Sequence, residues 1–258
     1  MKCKFYTLYQ VFIYLLFIFC PILVSAQVTD TSAQWIWIAG STGSSVSASY
    51  GTKGVPAPAT GANAKHPGAR FSYVSWSDTA GNLWMFGGFY SLPNAFQDIW
   101  KYSPDDHTWT WMHGASGYNQ GATPGIQTVP AAANVPGSRG GLGRWTDSAG
   151  NLWIFGGLRY QNNVERNDMW KYDVSDNMWA WMNGDPATAN GKIAGNYGTM
   201  GTPAASNQPG SRGRSCPATW TDHKNGKLYM FGGYGYGKNS SALGYLGDMW
   251  QYDMATNM

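Results

Sequence analysis

Residues 83–102 read LWMFGGFYSLPNAFQDIWKY, and the stretch is written twice more, as LWIFGGLRYQNNVERNDMWKY at 152–172 and LYMFGGYGYGKNSSALGYLGDMWQY at 228–252. Self-similarity at a period of tens of residues marks a repeat architecture, in which one supersecondary unit is copied and stacked. Trp84 lies 69 positions before Trp153, and Trp153 lies 76 before Tyr229. The unit is therefore about seventy residues long, and it varies only between the shared segments.

Each unit reads as four short strands. In the first, 70–76 is strand a, and Ser77 to Asn82 is a turn in which Gly81 supplies a positive φ. Leu83 to Phe86 is strand b, ended by Gly87-Gly88. Asp98 to Tyr102 is strand c, and Trp109 to Met112 is strand d. The second unit repeats this at 139–145, 152–155, 168–172 and 179–182, and the third gives 214–220, 228–231 and 248–252. Strand b is apolar throughout, as in a strand buried on both faces. Four-stranded sheets stacked face to face provide that environment. The expected fold class is therefore all-β.

These residues resemble the kelch family of β-propellers. The resemblance rests on the diglycines Gly87-Gly88, Gly156-Gly157 and Gly232-Gly233, and on a Tyr followed seven positions later by Trp (Tyr102 to Trp109, Tyr172 to Trp179). It rests also on Arg70, Arg139 and Arg212, each after Pro-Gly and a small residue at the start of strand a. In the third unit Arg214 competes with Arg212 for that role. The unit exceeds the usual kelch length of about fifty residues, and the surplus lies between strands d and a. Asp-x-x-Gly-Asn-Leu-Trp at 78–84 and 147–153 looks more like the turn of other bacterial sensor propellers. The resemblance implies four-stranded blades: a partial one at 31–40, then 68–114, 137–184 and 210–258, the last lacking its outer strand. Ordinary propellers have about four to eight blades, so an incomplete propeller is expected. Gln34-Trp35-Ile36-Trp37 reads as an orphan strand d. It either completes the third blade or leaves an open arc with strand c of that blade bare, and the open arc is favoured. A third arrangement joins two three-blade halves into one six-blade ring. Self-association through an open blade edge is expected.

Residues 1–26 have the layout of a secretory signal peptide: Lys2 and Lys4, an apolar run from Val11 to Val24, and Val24-Ser25-Ala26 before Gln27. Residues 5–24 are also just long enough to span a bilayer, but the small-residue exit favours cleavage. The expected location is secreted, extracellular or at the cell surface. Cys3 and Cys20 would leave with the leader, and Cys216 alone would remain, so no disulfide within the mature chain is available. Without Lys2 and Lys4 the chain carries 15 basic against 14 acidic residues. That balance argues against a nucleic-acid or anionic-membrane partner.

The chain has 14 tryptophans, which invites a sugar-stacking reading. Every one falls at a repeated position, however, and repetition in each unit is what packing demands. Each indole can bury ~200 Å², up to ~5 kcal/mol gross at ~25 cal/mol per Å². Function is expected elsewhere. In an antiparallel a-b-c-d sheet the b–c and d–a connections share one end, and here they are the long ones (89–97, 158–167 and 234–247; 39–69, 113–138 and 183–211). Insertions on one face mark a binding face. The candidate ligand contacts are the b–c residues that break the repeat: Phe89, Tyr90, Phe96, Arg159, Tyr160, Glu165, Arg166, Tyr234, Tyr236 and Tyr245. The arginines Arg70, Arg139 and Arg212 are candidates at a channel mouth, either for an anion or, the favoured reading, for backbone carbonyls between blades. The d–a spacers repeat weakly around Tyr50, Tyr118 and Tyr197, as a structural cover would.

The expected function is non-catalytic binding of an extracellular protein or glycan, with no cofactor and no metal. The alternative that the resemblance supplies is a fragment of a carbohydrate enzyme, like galactose oxidase or sialate mutarotase. The copper chemistry of the former needs two His, two Tyr and a Tyr-linked Cys. Here His66 and His113 fall in d–a linkers, and His107 and His223 in turns at the opposite end. Cys216 reads as a buried small hydrophobe in an inner strand. The aspartates at 78, 105, 106, 147, 173, 176, 222 and 253 read as caps of local backbone in turns.

Overall fold

In a computed structural model, residues 34–186, 191–239 and 242–258 are described. The leader assigned to residues 1–26 lies outside them. Among the described residues the protein is all-β, without α-helix, and its strands form several antiparallel sheets. No helix there is long and apolar enough to cross a membrane.

The second repeat shows the unit most clearly. Gly143–Thr146, Leu152–Phe155, Met169–Asp173 and Met178–Asn183 form one four-stranded sheet in which each strand pairs with its sequence neighbour. The first repeat does the same with Val74–Ser77, Leu83–Phe86, Ile99–Ser103 and Thr108–His113, and Ala57–Pro58 adds a fifth strand outside strand d. In the third, Ala218–Asp222, Lys227–Phe231 and Met249–Asp253 make a three-stranded sheet with strand c at its edge. This up-and-down order is compatible with a β-propeller-like fold. Strand a starts about four residues later than the alternation suggested, because the arginine segment before it turns aside to meet the diglycine. Residues 34–38 form no strand, and Trp35, Ile36, Trp37 and Ile38 are exposed. The expected strand d at this position is therefore not formed.

The turns form for local reasons. In the first a–b turn the Asp78 carboxylate accepts the amides of Ala80 and Asn82, the Asn82 side chain and, at 2.8 Å, the Trp84 indole N–H. Asp147 repeats the whole set with Ala149, Asn151 and Trp153. One carboxylate thus shapes the turn and fixes the first indole of strand b.

The sheets pack face to face. Val74, Trp76, Trp84, Phe86 and Ile99 of the first sheet bury against Leu152, Ile154, Trp170, Tyr172 and Trp179 of the second repeat. The opposite face of the second sheet, with Trp145, Trp153, Phe155 and Met169, buries against Leu228 and Met230, with Trp250 and Tyr252 partly covered. Strand b is buried on both sides because each sheet has two such faces. Seven tryptophans are buried: Trp76, Trp84, Trp100, Trp145, Trp153, Trp170 and Trp179.

A second device ties each repeat to itself and to the one before. Arg139 donates from Nη1 and Nη2 to Asp168 at 2.5 and 2.9 Å, from Nη1 to the Gly156 carbonyl and from Nε to the Gly137 carbonyl. The Trp170 indole N–H donates to the same carboxylate at 2.8 Å. Arg70 with Asp98 and Trp100, and Arg212 with Asp248 and Trp250, repeat the arrangement. The Arg139 carbonyl meanwhile accepts the Gly88 amide of the previous repeat at 2.9 Å, and the Arg212 carbonyl accepts Gly157 at 2.8 Å. A Cβ on Gly87 would lie 2.6 Å from the Arg139 carbonyl oxygen, and one on Gly156 2.5 Å from that of Arg212. Both glycines also have positive φ, 66° and 68°. The diglycine is thus required by close backbone approach as well as by conformation.

Two expectations follow for stability. Trp170→Ala or Trp100→Ala removes an indole with no exposed surface and should cost ~3–5 kcal/mol in urea unfolding. A loss below ~1 kcal/mol would show these rings to be dispensable. Asp168→Ala should cost a similar ~3–5 kcal/mol by stranding the Arg139 guanidinium, while Arg139→Met with Asp168→Leu should recover most of it.

Candidate functional site

The b–c connections, read from sequence as loops, are small hairpins. Phe89–Ser91 pairs with Asn94–Ala95, Leu158–Arg159 with Val164–Glu165, and Tyr234–Tyr236 with Leu243–Tyr245. The second turns through a short 3-10 segment, Tyr160–Asn162, closed by Asn163 in the left-handed region at φ 56°, a conformation Asn tolerates. Each hairpin also pairs with the arginine segment of its own repeat, through Phe71 and Phe89, Gly140 and Leu158, and Arg212 and Gly235. The hairpins are thereby anchored to the same arginines that organise the sheets.

That anchoring divides the candidates. Phe89, Phe96, Arg166 and Tyr236 are buried, so the expectation of exposed anchors fails for them. Phe89 packs with Ala95 and Leu158 and lies 6.2 Å from the Tyr160 ring. Phe96 stacks under the Arg70 guanidinium at 3.8 Å, and its backbone joins the Arg139 amide to the first repeat. Burial, and the neighbouring charge of Arg139, push Arg166 down to about 10, still protonated at neutral pH. Glu165 is buried too, and it accepts from Arg214 Nε at 2.8 Å. This pair answers the question of the third repeat: Arg212 holds the place equivalent to Arg70 and Arg139, and Arg214 crosses to the second repeat.

Five candidates keep accessible surface. Tyr90 is half-buried, donates its hydroxyl to the Ser45 carbonyl and stacks on Tyr118. Arg159 reaches the Asn119 carbonyl and Gln161. Tyr160 lies beside it on the same hairpin. Tyr234 faces Tyr245 across the third hairpin, ring centroids 5.0 Å apart, and Tyr245 is the most exposed of the set. The structure gathers these side chains on one row of hairpins, in one small cluster per repeat. The clusters offer phenol rings for stacking and edge-on hydrogen bonding, with one guanidinium.

Arg70, Arg139 and Arg212 are placed differently from a channel-mouth anion site. Their side chains are buried and doubly paired with Asp98, Asp168 and Asp248, and the carbonyls they reach belong to their own repeats. Their counter-charges were missed in the sequence. The signal was present in Asp-x-Trp at 98–100, 168–170 and 248–250, which recurs as faithfully as the arginine. The d–a linker tyrosines complete the pair: Tyr50 donates to Asp98 at 2.6 Å and Tyr197 to Asp248 at 2.8 Å. Tyr118 departs, packing on Phe96 instead. Burial, and the hydrogen bond to Asp248, push the Tyr197 phenol up to about 12, so it remains a donor at physiological pH.

Cys216 is exposed and lies outside the strands, contrary to its reading as a buried hydrophobe. His107 meets the Tyr102 hydroxyl, and His113 approaches the Ala132 carbonyl. Among the described residues no three His, Cys, Asp or Glu side chains are grouped to hold a metal ion. Comparison of the chain with protein-family models and with curated proteins finds no match.

Asp248 gives the pair a pH signature. Burial alone would raise its pKa, but the hydrogen bonds and charge of Arg212, with Trp250 and Tyr197, outweigh burial and hold it below the usual carboxylate value. A depressed folded pKa stabilises the fold fully above the unfolded value of about 4 and loses that contribution as pH falls through the folded one. The urea midpoint should therefore drop as pH is lowered below about 4. Asp248→Asn should be less stable at neutral pH and should lose that share of the acid dependence. An acid profile identical to the parent's would remove Asp248 from this role.

Proposed function

We propose that this chain is a secreted kelch-type β-propeller protein, non-catalytic, that binds an extracellular protein or glycan through the face carrying its b–c hairpins and d–a linkers. The observation that supports it most is the one-sided distribution of irregular chain. The a–b turns are short and closed on themselves by Asp78 and Asp147, and the c–d turns by Ser103 with Asp106 and by Asp173 with Ser175. At the other end of the sheets stand three hairpins bearing Tyr90, Arg159, Tyr160, Tyr234 and Tyr245. Aromatic and Arg side chains on rigidly anchored elements are typical interface anchors. The diglycine, the strand-a arginine and the four-stranded d-c-b-a order of the second sheet support the kelch reading.

The test is a glycan array and a panel of purified extracellular-matrix proteins, probed with the parent chain and with Arg159→Ala/Tyr160→Ala/Tyr234→Ala. The variant should lose binding while its melting temperature stays unchanged, since all three side chains keep accessible surface. A bound ligand held equally by the variant would refute this face. Turnover of a sugar or sialic acid by the purified chain would favour the enzyme class instead.

A further inference from the structure

Charge is separated along the strands of the compact unit Ala39–Met258, although its total is close to neutral. The a–b and c–d turns stand at one end of the sheets and the hairpins at the other. Eight aspartates stand in the turns, among them Asp78, Asp147, Asp173 and Asp222. The cations nearest them among the described residues are Lys101, Lys171, Lys224 and Lys227, and Lys171 and Lys227 are paired with Asp173 and Asp253. Arg70, Arg139 and Arg212 cancel against their buried aspartates and leave no net charge at either end. The hairpin end then carries Arg159, Arg166, Lys192, Arg214 and Lys238 against Glu165 and Asp185. Lys192 belongs there because the glycine before it, Gly191, lies against the second hairpin: a Cβ on Gly191 would stand 2.5 Å from the Glu165 carbonyl oxygen. Lys238 continues the third hairpin beyond Tyr236 and is exposed, as is Lys192.

These charges are not all available to a ligand. Glu165 is buried and committed to Arg214, and Asp185 stands near Arg166. Arg159, Lys192 and Lys238 are left. Arg159 donates from one Nη to the Asn119 carbonyl and to Gln161 Oε1, both at 3.2 Å, and its Nε is buried without a partner. Two neutral oxygens thus orient the guanidinium without cancelling its charge. Asn119 also ties the first hairpin to this arginine: its side chain accepts the Ala95 amide at 3.0 Å and donates to Asn94 at 3.4 Å. Beside it Tyr118 stacks on Tyr90, and Tyr160 follows Arg159 in the chain. A fixed cation therefore sits among phenol rings and carboxamides.

We propose that the hairpin face takes an anionic polysaccharide, one that carries carboxylate or sulfate groups along its chain. This rests on the hairpin face being the binding face, and it narrows the ligand to one class. A row of clusters, one per repeat, matches a polymer of repeating sugars better than a single small molecule. Phenol rings offer apolar faces with a polar tip, carboxamides both donate to and accept from sugar hydroxyls, and a guanidinium grips a carboxylate or sulfate through two parallel hydrogen bonds. The turn aspartates repel the same polymer from the opposite end, so charge steers it to the hairpins. A nucleic acid asks for a denser basic stripe than these three cations provide.

Calorimetric titration of the purified full chain with polygalacturonate, dextran sulfate and neutral dextran tests it. At least one of the two anionic polymers should bind, and which of them binds tells carboxylate from sulfate, while neutral dextran should not bind. The affinity should fall about tenfold between ~50 and ~200 mM salt. Arg159→Gln/Lys192→Gln/Lys238→Gln should weaken binding about tenfold or more and flatten that salt dependence, with the melting temperature unchanged. Arg159→Lys keeps the charge and should keep most of the affinity, and Lys224→Gln at the turn end should bind as the parent does. Anionic polymers held no tighter than dextran overturn the proposal. So does a triple variant that holds them as the parent does, or a DNA duplex bound as tightly as either polymer. A neutral glycan or a protein bound by the parent and lost in Arg159→Ala/Tyr160→Ala/Tyr234→Ala, with no anionic polymer bound, would overturn the anionic class and leave the hairpin face standing.

Discussion

The structure turns on one buried arginine used three times. Its guanidinium is held by the carboxylate of strand c and by the carbonyl that ends strand b, so it fixes two strands of its own repeat. In the second and third repeats its main-chain carbonyl faces the other way and takes the amide of the preceding diglycine. Burying a charge is tolerable only when it is paired and its remaining donors are used. The bidentate geometry with the additional carbonyl bonds meets that demand for Arg139 and Arg212. Because the same residue looks in both directions, the register of strands within a sheet and the docking of one repeat on the next are not independent.

Several features of the sequence follow from this arrangement. Glycine stands where it does because the neighbouring arginine carbonyl leaves no room for a Cβ. The aspartate lies two residues before a strand-c tryptophan because the indole N–H supplies one more donor to the same carboxylate. The d–a linkers, long and poor in regular structure, are tied down where Tyr50 and Tyr197 reach that carboxylate. Around this polar centre the indoles fill the space between sheets, which is why they recur in every repeat.

The hairpins carry the variation. Their bases are locked to the arginine segments and their tips are not. Phe89, Phe96, Arg166 and Tyr236 serve the anchoring and Tyr90, Arg159, Tyr160, Tyr234 and Tyr245 face outward. On the binding reading proposed above, a rigid base with variable aromatic tips would lose little conformational freedom when a partner settled on it.

The sequence by itself determined the all-β class, the three repeats, the place of each strand to within a few residues and the packing role of most tryptophans. Those features rest on local pattern repeated in register, and repetition averages out the ambiguity of any one copy. Only the tertiary structure decided which residues of the b–c segments are accessible, because burial there depends on a neighbouring repeat tens of positions away. It also converted the arginines from candidates for an anion or for backbone carbonyls between repeats into buried ion-pair partners that reach carbonyls of their own repeat, since their aspartates lie 28, 29 and 36 residues further on. Trp35–Ile38 shows the converse. Its pattern reads as a strand, yet residues 34–38 are not in one.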